Sequence, residues 1–172
     1  GADNAYLVCD PVFEGSDTLA ISHILSKAVS KIEEINGTKF DIIFCGKEAT
    51  DFTSAQVGPQ LAEILGVGQV TSILALEPSE AGITAKQETE EGYKTIEVAT
   101  PCVVTVTKPD YDPRYPTMRN KMAARKKEIP VLTSAELGTE SDKVGAASFV
   151  KVIRTFAPPK KEAGVKIQEE TG

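Results

Sequence analysis

Three short apolar runs alternate with two helical patterns over the first 76 residues. The runs at 5–10, 41–45 and 69–76 have the length and composition of buried strands. Between them, apolar residues recur at the spacing of one helix face, at Ile21, Ile24, Leu25, Ala28, Ile32 and Ile35 and then at Val57, Leu61, Ile64 and Leu65. A proline inside a helix costs about 3 kcal/mol, so Pro59 must lie in the first turn of the second helix. This alternation predicts an α/β fold in which helices cover a parallel sheet.

The second half of the chain begins with strands in close succession. Apolar and β-branched runs follow one another after only a few residues, at 83–89, 93–98 and 102–107. Residues 90–92 are predicted as a hairpin turn. The periodicity lapses at 109–116, which contains three prolines, and a short basic helix is predicted over about 117–127. From about Pro130 the chain is predicted to be mostly irregular, ending as an arm and not as a core element.

Composition places the chain among ordinary globular proteins. Its 172 residues include 19 Lys and Arg against 25 Asp and Glu, and this acidic balance argues against nucleic acid as a partner. No apolar run approaches the roughly 18–20 residues of a membrane helix, so we expect a soluble protein without membrane insertion. Three widely spaced cysteines, Cys9, Cys45 and Cys102, favour reduced, unreactive thiols over a disulfide framework or a zinc site. Since the sequence opens Gly-Ala-Asp with no initiator Met, we expect that the chain begins within a domain.

The loop at residues 46–54 joins the carboxyl end of a predicted strand to the start of a helix. Parallel sheets bind ligands at that edge, and the free N–H groups of a helix start favour phosphate. Thr53 and Ser54 add hydroxyl groups there, and Gln56 can both donate and accept hydrogen bonds. The alternative is that Thr53 or Ser54 merely caps the helix. The loop is not a Walker A motif, and the chain contains no G-x-G-x-x-G.

Residues 15–18 (GSDT) form a second junction of the same kind. A Ser or Asp N-cap is a sufficient explanation of this pattern. Loops that leave neighbouring strands lie at the same edge of a sheet, so the two junctions together favour a nucleotide cleft without proving one.

Catalytic side chains are not indicated. His23 is the single histidine, and it shares a helix face with Lys27, Ser30 and Glu34, opposite the apolar stripe. We therefore expect His23 to be an exposed surface residue. No Ser-His-Asp or Cys-His arrangement is present, and hydrolase and metalloenzyme functions have no support in the sequence.

The segment at 113–127 is unusual in its charge. It contains six basic and no acidic residues, whereas the remainder of the chain carries 13 basic and 25 acidic residues. Both methionines, Met118 and Met122, lie here one helical turn apart. Methionine beside cationic residues suits adaptable docking of a partner protein. The alternative is a solvated basic helix whose methionines face its own domain.

Taken together, these segments resemble the β (small) subunit of electron transfer flavoprotein, from Ala2 to about Ile167. The resemblance rests on several blocks in the right order: FEGSDTLA at 13–20, CGK at 45–47, AQVGP at 55–59 with LAE at 61–63, EGY at 91–93, PCVVT at 101–105, PRYP at 113–116, ARKK at 124–127, PP at 158–159 and AGVK at 163–166. Members of that family are about half as long again, so the resemblance implies that the family's N-terminal part is missing here.

The resemblance implies a Rossmann-like sandwich of the adenine nucleotide α-hydrolase-like type, with an added β-hairpin and a C-terminal arm. An electron-transferring FAD is shared with a larger α subunit, and this subunit holds AMP or, in electron-bifurcating members, a second FAD. Redox chemistry belongs to the flavin, so no enzyme activity of this subunit's own side chains is implied. The family's nucleotide loop maps onto Gly46, Lys47, Asp51, Thr53, Ser54, Ala55, Gln56 and Val57.

The resemblance also implies two kinds of partner. It assigns residues 1–130 to the nucleotide-binding domain, with a docking loop at 109–127. Residues 131–172 are then expected to form an extended arm that contacts the α subunit. An acyl-CoA dehydrogenase or related flavin dehydrogenase is the implied electron donor, which links the chain to fatty acid β-oxidation. Met118 stands where such docking loops insert an apolar residue into the dehydrogenase. The implied docking residues are Arg114, Met118, Arg119, Lys121, Met122 and Arg125.

Other interpretations remain. Bifurcating members often read DGDTAQVG in the nucleotide loop, whereas residues 51–58 read DFTSAQVG, so AMP and a second FAD both stay open. Lys94 also departs from the Glu or Gln that is usual in the hairpin. An ATP-using enzyme or a nucleotide-sensing stress protein of the same fold is the alternative of another class. We expect a bacterial cytoplasmic location in preference to the mitochondrial matrix.

Overall fold

A computed structural model describes residues 2–50, 52–108, 111–161 and Gly164. Two short 3-10 turns, Pro11–Phe13 and Gly145–Ala147, accompany the regular elements. In chain order these are β1 (Leu7–Val8), α1 (Thr18–Asn36), β2 (Ile42–Gly46), α2 (Val57–Leu65), β3 (Gly68–Pro78), β4 (Gly82–Thr89), β5 (Gly92–Ala99), β6 (Cys102–Val106), α3 (Met118–Ala124), β7 (Val131–Leu132) and α4 (Ser134–Leu137).

A five-stranded mixed sheet forms the centre, with the strand order β2-β6-β3-β4-β5. Strands β2, β6 and β3 run parallel, while β3–β4 and β4–β5 pair antiparallel. The predicted α/β class, the hairpin and the position of Pro59 in the first turn of α2 are thereby confirmed. The sequence did not indicate that β6 lies between β2 and β3.

The first strand departs from the prediction. Only Leu7–Val8 is a strand, and it pairs in parallel with Val131–Leu132 in a separate two-stranded sheet. The prediction that residues 5–10 belong to the same sheet as residues 41–45 and 69–76 is wrong for the described residues. Local periodicity gives the type of an element, whereas the choice of its partner depends on distant packing.

Two apolar cores hold the elements together. The first lies on the central sheet and centres on Val70, Ile73, Ile83, Ala85, Cys102 and Val104. The second joins α1, β7, α4 and the segment that follows α4, through Ile24, Ala28, Leu132, Leu137 and Val144. Helix α1 therefore packs against α2 on one side and against this second core on the other.

The chain after Pro130 is more ordered than predicted. Residues 131–147 contain β7, α4 and a 3-10 turn, and Val144 is buried in the second core. The prediction of a mostly irregular chain from about Pro130 agrees with these short elements, but residues up to Val144 contribute to a core, which was not expected. From residue 149 to residue 161 the chain has no regular secondary structure and is exposed.

The structure also bears on the predictions for the three cysteines and for a membrane helix. Cys102 is buried and Cys45 half-buried, and burial raises the pKa of both thiols, which agrees with unreactive groups. The strand predicted over residues 5–10 includes Cys9, but Cys9 lies one residue beyond β1 and is exposed. Within the described residues, no helix is long and apolar enough to cross a membrane.

Candidate functional site

A pocket of about 950 Å³ opens where β2 ends and where α1 and α2 begin. Three segments line it: the GSDT junction before α1, the loop between β2 and α2, and the chain from Gly145 to Val152. The two junctions that the sequence singled out thus meet at one site. They do so without belonging to neighbouring strands, because β1 lies outside the central sheet.

The predicted nucleotide-loop residues are distributed unevenly around this pocket. Thr53 is exposed and lies outside the lining, and Asp51 lies outside the described residues. Phe52 was not among the predicted residues, yet it lines the pocket while remaining 55% exposed. Six predicted residues do line it: Gly46, Lys47, Ser54, Ala55, Gln56 and Val57.

The starts of the two helices differ in how they are capped. Asp17 caps α1, and its Oδ1 accepts a hydrogen bond of 2.9 Å from the Ala20 N–H. At α2, Gln56 occupies the N-cap position, and its side chain makes no capping hydrogen bond. A helix start favours anions, and a carboxylate already occupies that position on α1. Among the described lining residues, the start of α2 is therefore the place that fits an external anion such as phosphate.

The backbone before α2 has an unusual conformation. Ala55 adopts φ +54°, in the left-handed region that non-glycine residues seldom visit. Just before it, the Ser54 N–H donates to the Phe52 carbonyl over 2.8 Å. Such strained positions persist only where the surroundings hold them, and they concentrate at ligand sites. This turn leads the chain into α2 at the wall of the pocket.

The charges of the described lining residues are balanced. Lys47 and Lys151 supply two cations, while Asp17 and Glu48 supply two anions. Lys47 Nζ lies 4.0 Å from Glu88 Oε2, a long and solvent-exposed pairing. Backbone N–H groups already bond to the Asp17 carboxylate. Of the two lysines in the lining, Lys47 is the one nearer in sequence to the start of α2.

The segment after residue 144 is fastened to the GSDT junction by three hydrogen bonds. Gly145 N–H donates to Ser16 Oγ over 2.8 Å, Asp17 N–H donates to Ser148 Oγ over 3.0 Å, and Val150 N–H donates to Asp17 Oδ2 over 3.0 Å. Burial acts to raise the pKa of Asp17, but donation from Ala20, Val150 and neighbouring N–H groups outweighs it and leaves the pKa lowered. No local sequence pattern indicated this wall of the pocket, because its contacts span about 130 residues.

Gln56 is held from the side of α1. Its Oε1 accepts a hydrogen bond of 2.9 Å from Thr18 Oγ1. One turn further along, Ser22 Oγ contacts the Thr18 carbonyl and Gln60 Oε1, at 2.7 and 3.1 Å. These contacts bind α1 to α2 beside the pocket.

The described lining combines apolar side chains with a few polar and charged groups. No group of three or more His, Cys, Asp or Glu suited to a metal occurs among the described residues. His23 lies outside the pocket lining and bonds Glu140 Oε2 over 2.8 Å, with only 17% of its side chain exposed. The expectation of an exposed His23 is therefore wrong. The hydrogen bond with His23 is the main cause that holds the pKa of the Glu140 carboxyl below its usual range, and a hydrogen bond and the positive charge of Lys143 lower it further.

The basic segment forms a separate surface. Helix α3 (Met118–Ala124) lies within the predicted range, and Thr117 caps it by accepting from Asn120 N–H. The methionine side chains do not face their own domain, since Met118 is 73% and Met122 59% exposed. Residues 109 and 110 of the predicted docking loop lie outside the described residues. All the predicted docking residues are exposed and outside the pocket lining: Arg114, Met118, Arg119, Lys121, Met122 and Arg125.

The fold and the pocket define an α/β protein with a ligand-binding site at a strand-to-helix junction. Comparison with known proteins gives the family: the profile of the electron transfer flavoprotein domain matches residues 1–137. The chain belongs to the electron transfer flavoprotein family, and several of its relatives are named as β subunits. The recognition made from the sequence motifs is thereby confirmed.

Individual relatives align over nearly the whole chain. The β subunit of electron transfer flavoprotein from Megasphaera elsdenii is 40% identical over 172 residues, which cover 99% of this chain and 64% of the relative. The acryloyl-CoA reductase electron transfer subunit gamma from Anaerotignum propionicum is 38% identical, covering 98% and 64%. Subunit CarD of the caffeyl-CoA reductase-Etf complex from Acetobacterium woodii is 34% identical, covering 99% and 64%. The chain thus spans less than two thirds of the length of these relatives.

Proposed function

We propose that the chain is part of an electron-carrier subunit that holds an adenine nucleotide in the pocket beside α2. The observation that carries this proposal is the start of α2: it lacks a side-chain cap, opens on the pocket and follows the strained Ala55. Family membership supports it. The phosphate would accept hydrogen bonds from the backbone at Gln56 and Val57 and from the Gln56 amide, with Lys47 adding positive charge.

The pocket also suits the remainder of a nucleotide. Ile21, Leu25 and Val57 contribute apolar side chains to its lining, and Phe52 adds an aromatic ring. Apolar walls with a few placed polar groups are typical of cofactor sites, which commonly occupy about 300–1,000 Å³. The volume of this pocket accommodates AMP, which we propose as the ligand.

A second FAD in place of AMP is the other candidate. The relatives from Anaerotignum propionicum and Acetobacterium woodii carry names of subunits of acryloyl-CoA reductase and caffeyl-CoA reductase complexes. That observation favours, as a second candidate function, a subunit of an electron-bifurcating reductase complex. The large pocket and the AQVG sequence at 55–58 are compatible with both nucleotides.

We propose a heterodimer with an α subunit as the working unit. A shared FAD would supply the redox chemistry, and this chain would supply orientation and a dry environment. The exposed apolar side chains at 149–156 fit an arm that packs on that subunit: Phe149, Val150, Val152, Ile153 and Phe156 are 60–98% exposed. A monomer seldom leaves such a contiguous set exposed unless a partner covers it.

The basic segment is proposed as the surface for a flavin dehydrogenase. Met118 would be an apolar anchor, surrounded by Arg114, Arg119, Lys121 and Arg125. An anchor fixes orientation, while an exposed charged rim steers association and keeps binding weak enough for release. An electron carrier needs both properties, because it must leave its donor after each encounter.

The test begins with the nucleotide content of the full chain purified with its α subunit. We expect extraction to yield FAD together with AMP, whereas FAD alone, at two per heterodimer, would identify the second candidate. Purification without a flavoprotein partner and without flavin absorbance would contradict an electron carrier and favour an ATP-using enzyme or a nucleotide sensor.

Replacing Gln56 by Ala tests the position of the site. Gln56 is exposed in the isolated chain, and if the complex buries the phosphate, we expect the affinity for the nucleotide to fall by about 1–3 kcal/mol, because the phosphate then loses a hydrogen-bond donor. Isothermal titration of the nucleotide-free complex measures this change. Gln69→Ala is the matched control, since Gln69 is exposed on β3 and lies outside the pocket lining. Parental affinity of Gln56→Ala would remove Gln56 from the site.

A further inference from the structure

Thr18 and Gln56 face each other across the two helices beside the pocket. Thr18 is the first residue of α1, and Gln56 immediately precedes α2. Thr18 Oγ1 donates to Gln56 Oε1 over 2.9 Å, although the two residues are 38 positions apart in the chain. Only the packing of α1 against α2 brings them together.

The position of Thr18 determines the direction of this hydrogen bond. Inside a helix, a threonine hydroxyl commonly donates to the carbonyl four residues earlier. For Thr18 that residue is Glu14, which precedes the helix and is separated from it by Gly15 at φ +80°. The hydroxyl hydrogen is therefore available to Gln56, and the amide oxygen is the group that can accept it.

This bond distinguishes the two ends of the Gln56 amide. When Oε1 accepts from Thr18, the Nε2 group keeps its two N–H donors for the pocket. The oxygens of an ionised phosphate can only accept hydrogen bonds. An amide turned the other way would present its own oxygen to them and repel them.

A second contact, one turn further along both helices, fixes their separation. Ser22 is fully buried and follows Thr18 by four residues, as Gln60 follows Gln56. Ser22 Oγ lies 3.1 Å from Gln60 Oε1 and 3.3 Å from the Val57 carbonyl. The single hydroxyl hydrogen of Ser22 makes its shortest contact, 2.7 Å, with the Thr18 carbonyl of its own helix, and the close packing of buried Ser22 against α2 keeps the two helices in register. Thr18 is thereby held at the distance that Gln56 requires.

We propose that Thr18 is a positioning residue, which orients the Gln56 amide so that its NH₂ group faces a phosphate bound at the start of α2. The inference rests on the proposed function and deepens it. It assigns the GSDT junction a role beyond capping α1. The Asp17 carboxylate occupies the start of α1, where an anion would otherwise bind, and Thr18 orients the Gln56 amide at the start of α2.

The experiment is a double-mutant cycle in the complex of the full chain with its α subunit. Nucleotide-free Thr18→Val, Gln56→Ala and the double variant are titrated with AMP and, separately, with FAD. We expect Thr18→Val to weaken binding about three- to tenfold, as for the loss of one oriented hydrogen bond. In the Gln56→Ala background, Thr18→Val should change the affinity by less than about twofold.

Rescue distinguishes positioning from a structural effect. Thr18→Ser retains the hydroxyl and should bind as the parent does, and Thr18→Ala replaces Thr18→Val if the valine variant fails to fold. Thr38→Val is the matched control, because Thr38 lies beyond the other end of α1 and is exposed. Parental binding by Thr18→Val alongside weak binding by Gln56→Ala overturns this inference alone. Parental binding by Gln56→Ala overturns the phosphate site and this inference together.

Discussion

At the scale of single residues, Asp17 does two structural tasks with one carboxylate. One oxygen caps α1 through Ala20 N–H, and the other accepts from Val150 N–H in the wall of the pocket. An asparagine could keep the first contact but would present an N–H₂ group to the second. The residue therefore couples the start of a helix to a segment more than 130 positions away.

We expect Asp17→Asn to lower the free energy of unfolding by about 1 kcal/mol at neutral pH. The pKa of Asp17 is lowered in the folded state, so its stabilising effect is present above the unfolded pKa of about 3.9 and is lost as the pH falls through the folded pKa. The difference between parent and variant should shrink on acidification through that range. Urea unfolding at several pH values measures it, with Asp41→Asn, at an exposed position, as control. A difference that is independent of pH would contradict the role given to the carboxylate.

At the scale of secondary-structure elements, one glycine sets the distance between α2 and the sheet. Gly58 is buried in the first turn of α2, and a Cβ atom built on it would lie 2.3 Å from the Thr105 side-chain methyl on β6. Thr105 is itself buried, and its Oγ1 accepts from Ser72 N–H over 2.8 Å. The helix start that faces the pocket is placed by this close approach.

Gly58→Ala should therefore destabilise the protein by about 1–3 kcal/mol through overpacking. Thr105→Ser removes the methyl group and keeps the oxygen that accepts from Ser72. The double variant Gly58→Ala, Thr105→Ser should recover most of the lost stability, as measured by chemical denaturation. If the serine does not rescue Gly58→Ala, the clash with β6 is not the reason for the glycine.

At the scale of the whole molecule, one segment carries a charge opposite to that of the chain as a whole. The chain carries a net charge of −6, yet the segment at 113–127 contains basic residues and no acidic ones. Its exposed methionines lie outside the pocket lining, so the proposed docking surface and the proposed nucleotide site can be tested independently.

Met118→Ala should slow reduction of the complex by an acyl-CoA dehydrogenase about tenfold, the effect of losing a docking anchor worth 1.4 kcal/mol or more. Nucleotide content should stay at the parental level. Added salt should lower the association rate, because exposed charges are screened over about 10 Å at 0.1 M. Stopped-flow reduction measures both effects.

Ile35→Ala is the control, as Ile35 is 51% exposed near the end of α1. A parental rate for Met118→Ala, together with no effect of salt, would leave α3 as a solvated helix.

Most of the elements could be predicted because their causes are local. The apolar spacing along α1 and α2, the first-turn position of Pro59 and the turn before Gly92 depend on residues within a few positions of each other. The loop before α2 could be predicted for the same reason, because the connection from a strand to the helix that follows it begins at the carboxyl end of that strand. Of the eight residues that the family resemblance assigned to this loop, six line the pocket.

Pairing and burial were decided only by the tertiary structure. β1 pairs with β7 across more than 120 residues, His23 is covered by Glu140, and Ser148 joins the wall of the pocket. Each depends on a partner that no local pattern specifies, because packing selects among many apolar and polar surfaces of similar composition. The sequence by itself determined the α/β class, the family and the loop that lines much of the pocket. The tertiary structure decided which helix start is left uncapped and which side chain orients Gln56 there, since both follow from contacts between residues far apart in the chain.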